Sequence, residues 1–136
     1  MDNLSEQIIK YVDENDYVTF AKLQNYIQEF TETKGDWSLE KEENLILWNG
    51  ISEELTDCLV SLIDKEIFLY YPAPSFLYWI DGKMLDYPIA SKPKAYKRPH
   101  WLPVYLRPKR ALEEENIPRD AYILCKSFDI KEIGYE

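Results

Sequence analysis

Ser52–Ile80, SEELTDCLVSLIDKEIFLYYPAPSFLYWI, is the stretch on which the reading of the fold turns. It opens with a helix signal. The Ser52 hydroxyl is placed to accept from an orphan amide of the first turn, and Glu53 and Glu54 complement the positive end of the helix dipole. Leu55, Leu59, Leu62 and Ile63 then recur at helical spacing, so a helix is expected through Lys65, with Glu54, Asp57, Ser61 and Asp64 on its outer face. After it the period changes. Ile67–Tyr71 and Phe76–Ile80 are rich in aromatic and aliphatic residues and read as strands, separated by Pro72-Ala73-Pro74-Ser75, which cannot continue a ladder. Asp81-Gly82 is a two-residue hairpin signal, because glycine takes positive φ at little cost, and Met84–Tyr87 is the expected returning strand, closed by Pro88.

Working back toward the start, Leu4–Glu14 predicts a first helix with Leu4, Ile8, Ile9 and Val12 on one face. Asn15-Asp16 ends it and Tyr17-Val18 forms a short extended link. Thr19 is the expected N-cap of a second helix, Phe20–Phe30, whose stripe is Phe20, Leu23, Ile27 and Phe30. Thr31–Glu43 is polar and acidic and reads as a long surface excursion. Leu45–Trp48 reads as extended and Asn49-Gly50 as a turn.

Helix, short strand, helix, helix, hairpin is the element order of a winged helix-turn-helix domain, and residues 4–87 resemble one. Tyr17–Phe20 leads into the second helix, Ser52–Lys65 stands as the third, and Ile67–Ile80 as the wing. The resemblance implies an α+β fold over residues 1–91, a three-helix core with a small antiparallel meander. Residues 92–136 then form a basic, proline- and aromatic-rich arm and a tail that pack on it. Major-groove reading by the third helix is disfavoured, because Glu53, Glu54, Asp57 and Asp64 would face phosphates with only Lys65 to offset them.

The arm itself is Lys92–Arg110, KPKAYKRPHWLPVYLRPKR, with seven basic residues and no acid. Pro93, Pro99, Pro103 and Pro108 exclude a continuous helix. Lys94, Tyr96, Lys97, Arg98, His100, Trp101, Tyr105, Arg107, Lys109 and Arg110 are its candidate binding residues, cations interleaved with flat rings. Charge is segregated around it. Residues 1–57 carry four basic and fourteen acidic side chains, a net −10, within a chain of net −9 and pI near 4.7. The arm therefore has three readings. It straps across the acidic lobe, burying Trp101, Tyr105 and Leu106; it engages a protein partner or a second copy; or it binds single-stranded or weakly specified nucleic acid. Protein or self-association is expected ahead of nucleic acid, because the net charge opposes a polyanion.

Other functions are limited by what the chain contains. At 136 residues, 46% hydrophobic and 15% aromatic, it is the size of one ordinary folded domain. Apolar runs are short, so no membrane association is expected, and the acidic amphipathic start does not resemble a secretory signal. Cys58 and Cys125 lie in no CxxC pattern and read as reduced thiols in a cytoplasmic protein, with a disulfide as the lesser alternative. There is one histidine, His100, and neither a phosphate-cradling glycine loop nor a GxSxG elbow. The expectation is a non-enzymatic interaction or regulatory module with no cofactor, no metal and no small-molecule substrate. In the tail, Lys109–Asn116 reads as a short helix broken at Ile117-Pro118, and Ala121–Cys125 as a docking strand. Ser127–Glu136 frays unless Phe128, Ile130 and Ile133 pack back.

Overall fold

The two capping hydroxyls found in the sequence set the ends of two helices. A computed structural model describes residues 3–117 and 129–132. Helix α1 (Asn3–Asn15) stops where Asp16 and Tyr17 both turn to positive φ, 50° and 48°. Strand β1 (Val18–Thr19) follows, and the Thr19 hydroxyl accepts from the Lys22 amide at 3.0 Å to start helix α2 (Phe20–Ile27). Helix α3 (Glu53–Asp64) starts in the same way, with Ser52 Oγ accepting from the Leu55 amide at 3.2 Å. Ile8, Val12, Phe20, Leu23, Ile27, Leu55, Leu59, Leu62 and Ile63 are all buried. Phe30 lies beyond the end of α2 and is exposed, so the expected stripe is one residue too long.

Between α2 and α3 the chain is not a surface excursion. It forms strand β2 (Lys34–Glu42), turns at Glu43-Asn44 with Asn44 in the left-handed region, and returns as β3 (Leu45–Ile51). Register shifts along this pair break the alternation that would have marked β2 as a strand. Asn49-Gly50 lies inside β3 rather than at a turn. At the base of the pair the backbones approach closely. A Cβ at Gly35 would meet Ile51 O and Ser52 Cα at 2.7 Å.

Strand β4 (Phe68–Pro72) forms as expected, but its partner is not its neighbour in sequence. Phe76–Ile80, expected as a strand, is the short helix α4. Met84–Tyr87 is irregular, so the two-hairpin wing is not built. Instead β4 pairs antiparallel with β6 (Val104–Pro108), which pairs on its other side with β1, giving a three-stranded sheet β1-β6-β4. The second sheet has the order β5-β3-β2-β7. Its edge strand β5 (His100–Trp101) is parallel to β3, and β7 (Asp129–Glu132) is antiparallel to β2. Part of the tail expected to fray is therefore a paired strand. Helix α5 (Lys109–Glu114) follows β6 and matches the expected short helix. Cys125, Phe128, Ile133 and the expected strand Ala121–Cys125 lie outside the described residues. The fold is α+β, with one antiparallel and one mixed sheet.

The core joins both sheets through rings. Phe20 stacks toward Trp48 (6.3 Å), Trp48 tilts against Tyr78 (5.1 Å) and Trp101 (6.2 Å), and Tyr78 meets Trp101 edge-on at 4.9 Å. Their polar atoms are satisfied. Trp48 Nε1 donates to Gln24 Oε1 (2.7 Å), Gln24 Nε2 to Thr33 O (3.1 Å), and Trp101 Nε1 to Leu47 O (3.2 Å). Buried polar groups left without partners would each cost roughly 1–3 kcal/mol. Among the described residues no helix is long and apolar enough to cross a membrane.

Candidate functional site

Two surfaces carry residues that the fold itself does not use. The first is α4. Pro72 and Pro74 end the β4 ladder, and the Pro74 and Ser75 carbonyls accept from the Leu77 and Tyr78 amides at 3.2 and 3.0 Å, starting the helix. It ends at Gly82, φ +97°, where the Lys83 amide bonds back to Tyr78 O at 3.1 Å. Asp81-Gly82 is thus a helix C-terminus in place of a hairpin turn. Asp81 Oδ2 accepts from the Thr19 hydroxyl (2.7 Å), tying the end of α4 to the start of α2.

Tyr78 fixes the orientation of this helix. It is fully buried; its hydroxyl donates to Val104 O and accepts from the Phe20 amide. Burial pushes the phenol well above its ordinary value of 10, outweighing the opposing pull of those two backbone bonds. With residue 78 directed inward, positions 76 and 80 fall about 160° from it and position 79 about 100°, at about 100° per residue, all three off the buried side. Phe76, Trp79 and Ile80 are 58%, 70% and 62% exposed. Strand-like composition hides this apolar triplet in the sequence. The signal that finds it is the proline–serine start followed by apolar residues at i, i+3 and i+4.

The second surface is part of the arm, which the structure divides. Trp101 has no exposed area and sits in the ring cluster. Tyr105 is half-buried on β6, edge-on to Tyr17 at 5.0 Å. Arg107 is 2% exposed, and its Nε and Nη2 donate to Asp16 Oδ1 and Oδ2, both at 2.9 Å. Nη2 also meets Glu115, and the guanidinium lies 4.0 Å from the Tyr17 ring centroid. Asp16 foremost, with Glu115, holds the Arg107 charge more firmly than usual. Arg110 pairs with Asp13 (2.8 Å) and Glu114 (3.5 Å), and Lys109 is half-buried at the start of α5. Arg107 and Arg110 hold β6 and α5 against α1 and the residue that follows it.

The rest of the arm is open. Residues 91–99 hang from the β2–β3 turn. The Tyr96 amide donates to Glu43 O (3.0 Å), Asn44 Nδ2 to Tyr96 O (3.0 Å), and the His100 amide to Asn44 O (2.8 Å). Tyr96 stacks on His100 (3.9 Å, 16°), and His100 Nδ1 donates to Arg98 O at 2.8 Å. Lys94 Nζ stands 5.2 Å from the Tyr96 ring centroid. Lys92, Lys94, Lys97 and Arg98 are all exposed. Of the ten candidate residues, Trp101, Tyr105, Arg107 and Arg110 belong to the core, β6 or the ion pairs, Lys94, Tyr96, Lys97 and Arg98 are displayed on the loop, His100 stacks on Tyr96 from β5, and Lys109 starts α5.

Among the described residues no group of three or more His, Cys, Asp or Glu side chains is placed to hold a metal ion. Cys58 is half-buried, its Sγ 3.1 Å from Ser5 Oγ. Comparison with protein-family models, with curated proteins and with solved structures finds no match.

Proposed function

We propose that this protein is a non-catalytic, cytoplasmic interaction module that docks a protein partner through the exposed face of α4. The observation that carries the reading is Phe76, Trp79 and Ile80 standing out on a helix whose orientation is fixed by a buried tyrosine. Trp and aromatic anchors are concentrated in binding hot spots, and a face fixed before binding loses little entropy on docking. The anchor spacing i, i+3, i+4 suits an apolar groove on the partner. A winged-helix-like core belongs to the same proposal. The succession α1, β1, α2, α3 supports it, while the β2–β3 insertion and the β4–β6 pairing set this chain apart from the usual arrangement.

The test compares the wild-type chain with Trp79→Ala, in affinity capture from the cell of origin and in sedimentation velocity. Trp79 is mostly exposed, so the variant keeps its fold. The expected result is a retained protein, or a self-complex, that the variant binds at least about thirtyfold more weakly, the scale of one hot-spot tryptophan. Identical behaviour of the two chains rejects the reading.

A further inference from the structure

The loop 91–99 lies apart from α4 in sequence and is held by different contacts, so its role is independent of the one proposed for that helix. The five ion pairs among the described residues draw their cations from Lys10, Arg107 and Arg110 only. Lys92, Lys94, Lys97 and Arg98 enter none of them, although the chain carries 25 acidic side chains. Four positive charges are thus displayed on an anchored loop, while the remainder of the chain, at net −9 overall, carries −13.

A matching surface exists on the same molecule. On α3, Glu53, Asp57 and Asp64 are exposed and take part in none of those ion pairs. Their spacings of four and seven place them within about 40° of one another around the helix, a straight acidic line about 16 Å long. The loop is folded on itself, with the Lys94 amide 2.9 Å from Lys92 O and the Tyr96 hydroxyl bonded to both backbone groups of Lys92, so its four cations form a compact positive cluster to set against that line. A single molecule does not satisfy them against each other: the loop hangs from the β2–β3 turn and forms no ion pair with α3.

We infer that loop 91–99 docks on the acidic face of α3 in a second copy of this chain, giving a head-to-tail, salt-sensitive self-assembly. Because the two patches differ, the contact is heterologous and closes into a ring or continues as a filament. A second copy is favoured over nucleic acid on two grounds. A phosphate chain brings only negative charge to a body already at −13, whereas another copy offers each pole its opposite. The ring on which a base would stack is also already engaged, with Tyr96 lying on His100 and beneath Lys94.

Two charge-reversed variants test this on the full chain. One carries Lys94→Glu, Lys97→Glu and Arg98→Glu; the other carries Asp57→Lys and Asp64→Lys, sparing the two glutamates of the α3 first turn. All five side chains are exposed, and far-ultraviolet circular dichroism checks that each variant is folded. In sedimentation velocity the wild type is expected to associate with rising concentration. That association should weaken about tenfold or more between roughly 0.05 and roughly 0.5 M salt, as screening shortens to a few ångströms. Each variant alone is expected to be monomeric, and an equimolar mixture to associate again, because the reversed loop of one meets the reversed helix of the other. A wild type that stays monomeric at low salt overturns the inference, as does a mixture that fails to associate. Binding of a fluorescent oligothymidylate that loop reversal abolishes, without self-association, also overturns it and assigns the loop to nucleic acid.

Discussion

Arg107→Met, combined with Asp16→Asn, measures what ties β6 to the turn after α1. Arg107 makes two charged hydrogen bonds to Asp16 and one contact to Glu115, and faces the Tyr17 ring. A charge-assisted bond contributes about 1.5–3 kcal/mol, and truncating one partner of a fully buried pair costs about 3–5 kcal/mol. Here Asp16 is half-buried and Glu115 exposed, so water takes over part of the solvation when the guanidinium is removed. We expect about 2–4 kcal/mol for Arg107→Met, whose side chain retains the apolar stem. Asp16 adopts φ 50°, which asparagine tolerates, so Asp16→Asn removes charge without adding backbone strain. Urea denaturation of the four proteins, with a constant m-value, should give a coupling energy of about 1.5–3 kcal/mol. A coupling under about 0.5 kcal/mol, the range of exposed pairs, would refute the claim that this bridge stabilises the fold.

Other substitutions probe separate parts of the structure. Gly35→Ala forces a Cβ against Ile51 O and Ser52 Cα and should destabilise by roughly 1–3 kcal/mol in thermal melts; a neutral effect would mean the base of the β2–β3 pair yields easily. Tyr78 has a raised phenol value, so its contribution is complete below pH 10, the ordinary value, and declines as pH rises above it. Stability measured from pH 8 upward should therefore fall beyond about 10, and Tyr78→Phe should flatten that decline while lowering stability at neutral pH; an unchanged slope counts against burial of the phenol. Trp79→Phe should remove the component of tryptophan emission most accessible to acrylamide, leaving half-buried Trp37 and the shielded, blue-shifted Trp48 and Trp101, and quenching that is unaltered by the substitution would contradict the exposed placement. Ser52→Ala should cost about 1 kcal/mol in chemical denaturation through loss of the α3 cap; a change within error would deny the cap its role.

The parts of the fold legible in the sequence are those governed by neighbours along the chain. Thr19 and Ser52 cap their helices through amides three residues away, and the stripes of α1 and α3 repeat at helical period, so local spacing is enough. The misreadings arise where distant backbone decides. In β2, KGDWSLEKE lacks alternation because bulges shift its register against β3, and its other edge is satisfied by residues 129–132. FLYWI has strand composition at residues 76–80, but the two prolines before it and Gly82 after it close a helical turn. The candidate site is half legible. The charges and rings of residues 92–110 are evident, yet which cations meet Asp13, Asp16 and Glu115 depends on β6 inserting between β1 and β4.

That insertion has a kinetic consequence. Val18 is hydrogen-bonded into a ladder with Leu106, and Leu39 faces Ile130, so both sheets are completed by segments synthesised some ninety residues after their partners. Loop closure over such distances is slow, and until it occurs β1 and one edge of β2 present unpaired amides. During translation the aromatic cluster cannot close either, because Trp101 leaves the ribosome long after Phe20 and Trp48. The N-terminal half, though it holds three well-capped or amphipathic helices, lacks the strands that complete both sheets. A chain arrested before residue 101 is therefore expected to recruit chaperones or aggregate.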